Sequence, residues 1–177
     1  MKTLRMFVGI LVIVTAAAAA RTEAATITNL NMTLYHQQTR YWCGPATVEM
    51  TVKYLTGRYY TQAYLARWMG TTYRGTSTSN SLRALRHFSN QAYGFSAFSR
   101  TRIIHNINYK RPVPVSFVCR YVSYSRYSSA RHISPIKGYT GGGFYINDSA
   151  WGRKWASTTE LHNATRYFGG GALMVRY

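Results

Sequence analysis

Apolar positions along the chain change period at Val113. Before it they recur every three to four residues, as on a helix with one buried face. Val48, Val52 and Leu55 place a first helix over Cys43 to Leu55, with Glu49 spaced to pair with Lys53 one turn on and Gly57 closing it. A second helix is predicted from a capping threonine at Thr61 to Met69, stopped by Gly70. A third spans about Ser79 to Phe88, with Leu82, Leu85 and Phe88 on one face. A short helix follows over Thr101 to Tyr109. Ahead of all these, the polar, β-branched stretch Thr26 to Tyr35 reads as a leading strand or extended arm.

After Val113 the period falls to two. Val113, Val115, Phe117 and Cys119 alternate with other residues and predict a strand. Beyond a tyrosine- and serine-rich loop, His132 to Tyr139 and Phe144 to Asn147 read as two strands joined by a hairpin turn at Gly141-Gly142-Gly143. Ser157-Thr-Thr-Glu160 is a capping-box pattern opening a helix to about Phe168. Gly169 to Gly171 ends it, and Ala172 to Tyr177 forms a last strand. Helices first and sheet afterwards give an α+β fold, not an alternating parallel one.

The first twenty residues stand apart. Lys2 and Arg5 give a basic start, Met6 to Val14 is almost wholly apolar, and Ala16 to Ala20 supplies small residues before Arg21-Thr22-Glu23. This is the layout of a secretory signal peptide with cleavage after Ala20. The apolar run is short for a membrane span. Residues 21 to 177 then make one domain, secreted to the extracellular space or periplasm and without a transmembrane segment, and a monomer is expected. With Lys2 and Arg5 gone, 20 basic residues face the four acids Glu23, Glu49, Asp148 and Glu160, a net +16. Such a surface attracts polyanions, and anionic cell-surface polymer is a candidate partner. The basic residues form no run of five and no recognisable nucleic-acid module, so no specific nucleic-acid partner is implied.

Candidate chemistry centres on HQQTRYWCGPATVEM, residues 36 to 50. Cys43 lies at a helix start, where the dipole and unpaired N–H groups favour the thiolate. A nucleophilic thiolate needs a base, a group to orient that base, and donors for the oxyanion. His132 opens one hairpin strand and Asp148, the only aspartate, closes the next, so pairing across the glycine turn brings them together. Cys119, on an apolar strand face, reads as a buried thiol; a Cys43–Cys119 disulfide is the competing arrangement for an exported protein. No paired Cys or His spacing suggests a metal site.

These features together resemble the papain-like cysteine peptidases. The resemblance rests on Gln37, five residues, then Cys43-Gly44-Pro45-Ala46; on His132 before a hairpin carrying Gly138-Tyr139; and on Asp148 with Gly152 beyond. The CGPA form is most similar to cysteine peptidase family 39, the bacteriocin-processing double-glycine peptidases and their exported single-domain relatives. Residues 61 to 77 also resemble the segment linking the first helices there, so the likeness runs from about Gln37 to Trp155. It implies a papain-like fold, a helical half packed on an antiparallel sheet, and no cofactor. It implies Cys43 as nucleophile, His132 as base and then acid, Asp148 as orienting group, and Gln37 with the Cys43 N–H as oxyanion hole. Ser149 departs from the proline common after the family's aspartate. A chain of 177 residues has no room for a transporter domain, so leader processing does not carry over. The expected function is a secreted peptidase acting on peptides or proteins. The alternatives are an amidase or transferase using the same triad on cell-wall peptide, and a catalytically idle basic protein that binds anionic surface polymer.

Overall fold

The computed structural model describes residues 28–126 and 128–177; the expected signal peptide and its cleavage point lie outside the described residues. In chain order the first elements are β1 (Thr28–Asn29), α1 (Cys43–Thr56), α2 (Gln62–Trp68), α3 (Thr78–Ser89), β2 (Tyr93–Ser96) and α4 (Arg100–Asn108). There follow β3 (Val113–Val118), β4 (Arg131–Tyr139), β5 (Gly143–Asp148), β6 (Gly152–Ser157), α5 (Thr158–Thr165) and β7 (Leu173–Arg176). The strands form one antiparallel sheet in the order β2-β7-β3-β4-β5-β6, with β1 paired to the end of β4. The α+β architecture expected from the change of period is the one observed.

Local chemistry sets the helix ends. Thr61, Ser77, Ser99 and Ser157 each accept a backbone N–H from the first turn of α2, α3, α4 and α5. Ser157 and Glu160 complete a reciprocal capping box. Gly57, at φ 73°, takes the left-handed position that ends α1, and its N–H returns to the Lys53 carbonyl at 2.9 Å. The helix after Ser157 is shorter than expected: it ends at Thr165, and residues 166–171 form 3-10 turns broken by a kink at Gly169, whose φ is 51°.

The sheet separates two cores. On one side α4 and α5 cover Val113, Val115, Phe117 and Ile146; on the other α1, α2 and α3 pack with Ile133 and Met174. Every residue of β3 is therefore buried, and its alternation marks which core each side chain enters. Cys119 lies one residue beyond β3, in a 3-10 turn, yet is buried with the same apolar group. Among its described residues the leading arm is strand at Thr28–Asn29, and buried Leu30 and Met32 then fasten it. The Leu30 N–H donates to the Lys137 carbonyl (2.7 Å), and Asn147 Nδ2 donates to the Met32 carbonyl (3.0 Å).

One expectation needs correction, and two strands went unread. Glu49 and Lys53 do not pair. Residues 44 to 52 of α1 are buried without a break, so Glu49 faces α2 and accepts from Gln62 Nε2 at 2.8 Å. Lys53 instead donates to the Gly57 carbonyl at 2.7 Å. Strands β2 and β6 carried no period-two apolar signal: β2 is four residues containing a glycine, and β6 is an edge strand with exposed Arg153 and Trp155. Among the described residues no helix is long and apolar enough to cross a membrane.

Candidate active site

Helix α1 begins without a side-chain cap. Its N-cap is Trp42, and the first bond into the helix is from the Ala46 N–H to the Trp42 carbonyl (3.0 Å). Pro45 sits in the first turn, where an N–H would find no intrahelical partner. The first turn thus presents its backbone donors to whatever anion lies there. Gly44 allows the loop bearing Thr76 to close on this end: a Cβ at Gly44 would lie 2.8 Å from both Thr76 Cβ and Oγ1. One turn inside, Thr47 Oγ1 donates to the Ile133 carbonyl at 2.9 Å, fixing α1 against β4 beside His132.

The antiparallel pairing of β4 and β5 brings the start of one beside the end of the other. His132 Nε2 and Asp148 Oδ1 are 3.0 Å apart, with both side chains buried. Asp148 Oδ1 also accepts the N–H groups of Ala150 (2.9 Å) and Trp151 (3.1 Å), and Tyr124 donates to Oδ2 at 3.2 Å. Four donors at one carboxylate make its burial tolerable. The rings of Phe117 and Trp151 stand edge-on to His132, with centroids 5.4 and 5.3 Å away.

Cys43 hydrogen-bonds the same imidazole. With Nε2 held by Asp148, Nδ1 is the nitrogen left for the thiol. Burial works against a Cys43 thiolate. The hydrogen bond and charge of His132, with the N–H groups of Ile133 and Gly44, more than offset it and lower the thiol pKa. Burial likewise opposes the imidazolium, but Asp148 and Cys43 raise the His132 pKa to about 10. Asp148 is held below the usual carboxylate range by His132 and its two backbone donors, against the effect of burial. The three groups form one coupled system in which His132 favours the thiolate and Asp148 favours the imidazolium. Cys119 is the opposite case: burial, with the Asp148 charge next, pushes its thiol up to about 11. Both cysteines are free.

Gln37 is clamped from several sides. Its N–H donates to the Ser149 carbonyl (3.0 Å), its Oε1 accepts from Ser149 Oγ (3.0 Å), and its Nε2 donates to the Thr39 carbonyl (3.0 Å). Gln62 brackets the residue from below, accepting the Gln38 N–H (2.9 Å) and donating to the His36 carbonyl (2.8 Å). The structure thus brings Cys43, His132 and Asp148 into direct contact and ties Gln37 to the residue after Asp148. Sequence reasoning missed Tyr124, Trp151, Ser149 and the buried Glu49–Gln62 pair. Only Trp151 and Ser149, within three residues of Asp148, carried a positional signal. A cleft of about 450 Å³ opens over Cys43 and His132, bordered by Arg74, Arg131 and the hydroxyl-rich segment from Thr76 to Ser81.

The profile of the Peptidase_C39 like family matches residues 29–170. No curated protein matches the sequence significantly. Among solved structures, the chain is similar to a C39-like peptidase from Bacillus anthracis, with a TM-score of 0.68 at 12% identity, covering 86% of this chain and 98% of that one. It is similar to the peptidase domain of Streptococcus ComA, a bifunctional ABC transporter involved in quorum sensing (TM-score 0.61, 18% identity, 81% and 98% covered). A third likeness is to a double glycine motif protease from an AMS/PCAT transporter, solved with its leader peptide (TM-score 0.59, 17% identity, 83% and 91% covered). The likenesses establish a common fold, and the profile covers most of the described chain: the protein belongs to the Peptidase_C39 like family and is a cysteine peptidase.

Proposed function

We propose that the protein is a secreted peptidase that hydrolyses peptide bonds through Cys43, His132 and Asp148, with Gln37 and the Cys43 N–H as the oxyanion hole. The observation that carries this reading is the shared imidazole. His132 is bound on one side to Asp148 at 3.0 Å and on the other to a thiol at an uncapped helix start. In the reaction, the Cys43 thiolate attacks the carbonyl carbon, and the oxygen takes up the electron pair facing the Cys43 N–H and the Gln37 carboxamide. Collapse breaks the C–N bond while imidazolium gives its proton to the leaving amine. Water then attacks the thioester, neutral His132 takes one of its protons, and collapse releases the Cys43 thiolate and a carboxylic acid that gives its remaining proton to solvent. Asp148 holds the ring orientation throughout and stabilises the imidazolium whenever His132 is protonated. Secretion rests on the layout of the first twenty residues. The leader peptide bound by the transporter protease supports a peptide substrate.

The test is to profile a mixture of peptides for new termini with wild type and Cys43→Ala. Alanine suits a helix start, so the variant is expected to fold and to produce no new termini. A Cys43→Ala protein that still cleaves would overturn the assignment of the nucleophile. Absence of cleavage by wild type, with Cys43 unreactive to thiol reagents, would favour the idle binding protein.

A further inference from the structure

We propose that the substrate is an acidic peptide, whose carboxylate beside the scissile bond is held by Arg74 and Arg131 across the cleft; this specificity rests on the peptidase reading above. The cleft over Cys43 and His132 has two cations at its borders and no carboxylate among its lining residues. Arg74 sits at the tip of a tight turn closed by paired backbone bonds between Thr72 and Gly75 (3.1 and 2.9 Å). Its Nε donates to Tyr73 Oη at 3.1 Å, which leaves the two terminal nitrogens for a ligand. Arg131 precedes His132 and lies over the Phe168 ring at 5.7 Å, which fixes its guanidinium without neutralising it. Both arginines are exposed.

Among the described residues no side-chain carboxylate serves these cations as a counter-ion: none lines the cleft, and the three described acids are engaged elsewhere. Of the carboxylates among the described residues, Asp148 is taken up by His132, Tyr124 and two backbone donors. Glu49 is held by Gln62, and Glu160 by Ser157 and the Ser123 N–H. The cleft adds a buried hydroxyl: Ser116 lines it, is 2% exposed, and its Oγ has no hydrogen-bond partner among the described residues. Ser79 borders both this cleft and a neighbouring groove that carries Arg83 and Arg86, so positive charge continues along α3 away from the nucleophile. A neutral or basic peptide would leave these guanidinium groups unpaired against its backbone. A glutamate or aspartate near the scissile bond would meet them with charge-assisted hydrogen bonds.

Two assays with one set of peptides decide the matter. Cleavage of peptides differing only in Glu against Gln near the scissile bond is measured by kcat/KM. Binding of the same peptides to Cys43→Ala is measured in parallel, so that recognition is read without chemistry. Wild type should prefer the acid by roughly 10- to 100-fold, the range for a charge-assisted bond over its neutral counterpart. That ratio should fall toward one in Arg74→Gln and Arg131→Gln, while Arg58→Gln, which removes one exposed charge outside the cleft, should keep it. Cleavage with no preference for acid would overturn the specificity and leave the peptidase reading standing. Acid-selective binding to Cys43→Ala without cleavage by wild type would do the reverse. Displacement of the acidic peptide by a phosphodiester polymer, together with equal cleavage of the Glu and Gln peptides, would assign the basic track to polymer binding and also overturn the proposal.

Discussion

A thiolate beside an imidazolium is a state with two pH edges, and each belongs to a different residue. On the acid side Cys43 regains its proton as pH falls through its lowered pKa. On the alkaline side His132 loses its proton as pH rises through about 10. Alkylation by a neutral reagent needs only the thiolate, so its rate should show the acid edge. Peptide turnover also needs the proton that His132 gives to the leaving amine, so kcat should fall again near pH 10. Loss of the alkaline edge in turnover would remove His132 from the role of acid. The same pair decides what Gln37 does. Thiolate formation depends on His132 and the helix start, whereas the Gln37 side chain is held by Ser149 and Thr39. Gln37→Ala should therefore lower kcat by about 10²–10³, the usual cost of one oxyanion donor, and leave alkylation of Cys43 nearly unchanged. Gln38 is engaged through its backbone N–H to Gln62, so Gln38→Ala should be close to silent in both assays. Kinetics on the two variants read out the register of the approach segment directly.

At the scale of elements, the strongest local signals were legible and the weakest buried ones were not. The capping residues Thr61 and Ser157, the glycine ending α1 and the period of two in β3 all act within a few residues, so the sequence carries them openly. Sequence reasoning missed the caps Ser77 and Ser99. The meeting of His132 and Asp148 was legible because the glycine turn pairs the start of β4 with the end of β5. Tyr124 was not, since nothing in a tyrosine- and serine-rich loop marks the one hydroxyl that reaches Asp148. Glu49 was misread for a physical reason. A charged residue spaced one turn from a lysine suggests an exposed pair, but α1 is enclosed and the carboxylate is 2% exposed. Burial raises its pKa, against the hydrogen bonds of Gln62 and Tyr59. A raised acid contributes its full stability below its unfolded pKa and loses that contribution as pH rises through the folded value. Glu49→Gln, uncharged and still able to accept from Gln62, should match or exceed wild-type stability at neutral pH. Glu49→Ala should cost about 1–3 kcal/mol by leaving the Gln62 amide short of a partner. Because Gln62 also brackets residue 37, that variant should lower kcat as well. Urea unfolding of the two variants, with turnover alongside, separates the charge from the hydrogen bond.

The whole molecule carries more positive charge than its own acids can answer. Each side-chain carboxylate among the described residues is engaged by histidine, tyrosine, glutamine, serine or backbone groups. The chain's basic residues outnumber its acids by 18, so the surface repels itself and attracts anions over a range set by ionic strength. Added salt then has two effects of opposite sense. Screening relieves self-repulsion, so the thermal midpoint should rise with sodium chloride. The same screening should weaken association with an anionic polymer steeply, since exposed charges act over a Debye length of about 8 Å at physiological ionic strength. Three peptides distinguish the cleft from the surface under this treatment. A short neutral peptide should be cleaved with little change in kcat or KM. A peptide with one glutamate near the scissile bond should show a modest rise in KM, because the contact is short and lies within a cleft. A peptide with a long acidic tail should show the steep dependence of the polymer. If all three rise in parallel, charge acts only as a general attraction and the arginines at the cleft confer no selectivity. If the neutral peptide alone is insensitive and the other two separate in slope, surface recruitment and cleft recognition are distinct functions of the same basic chain.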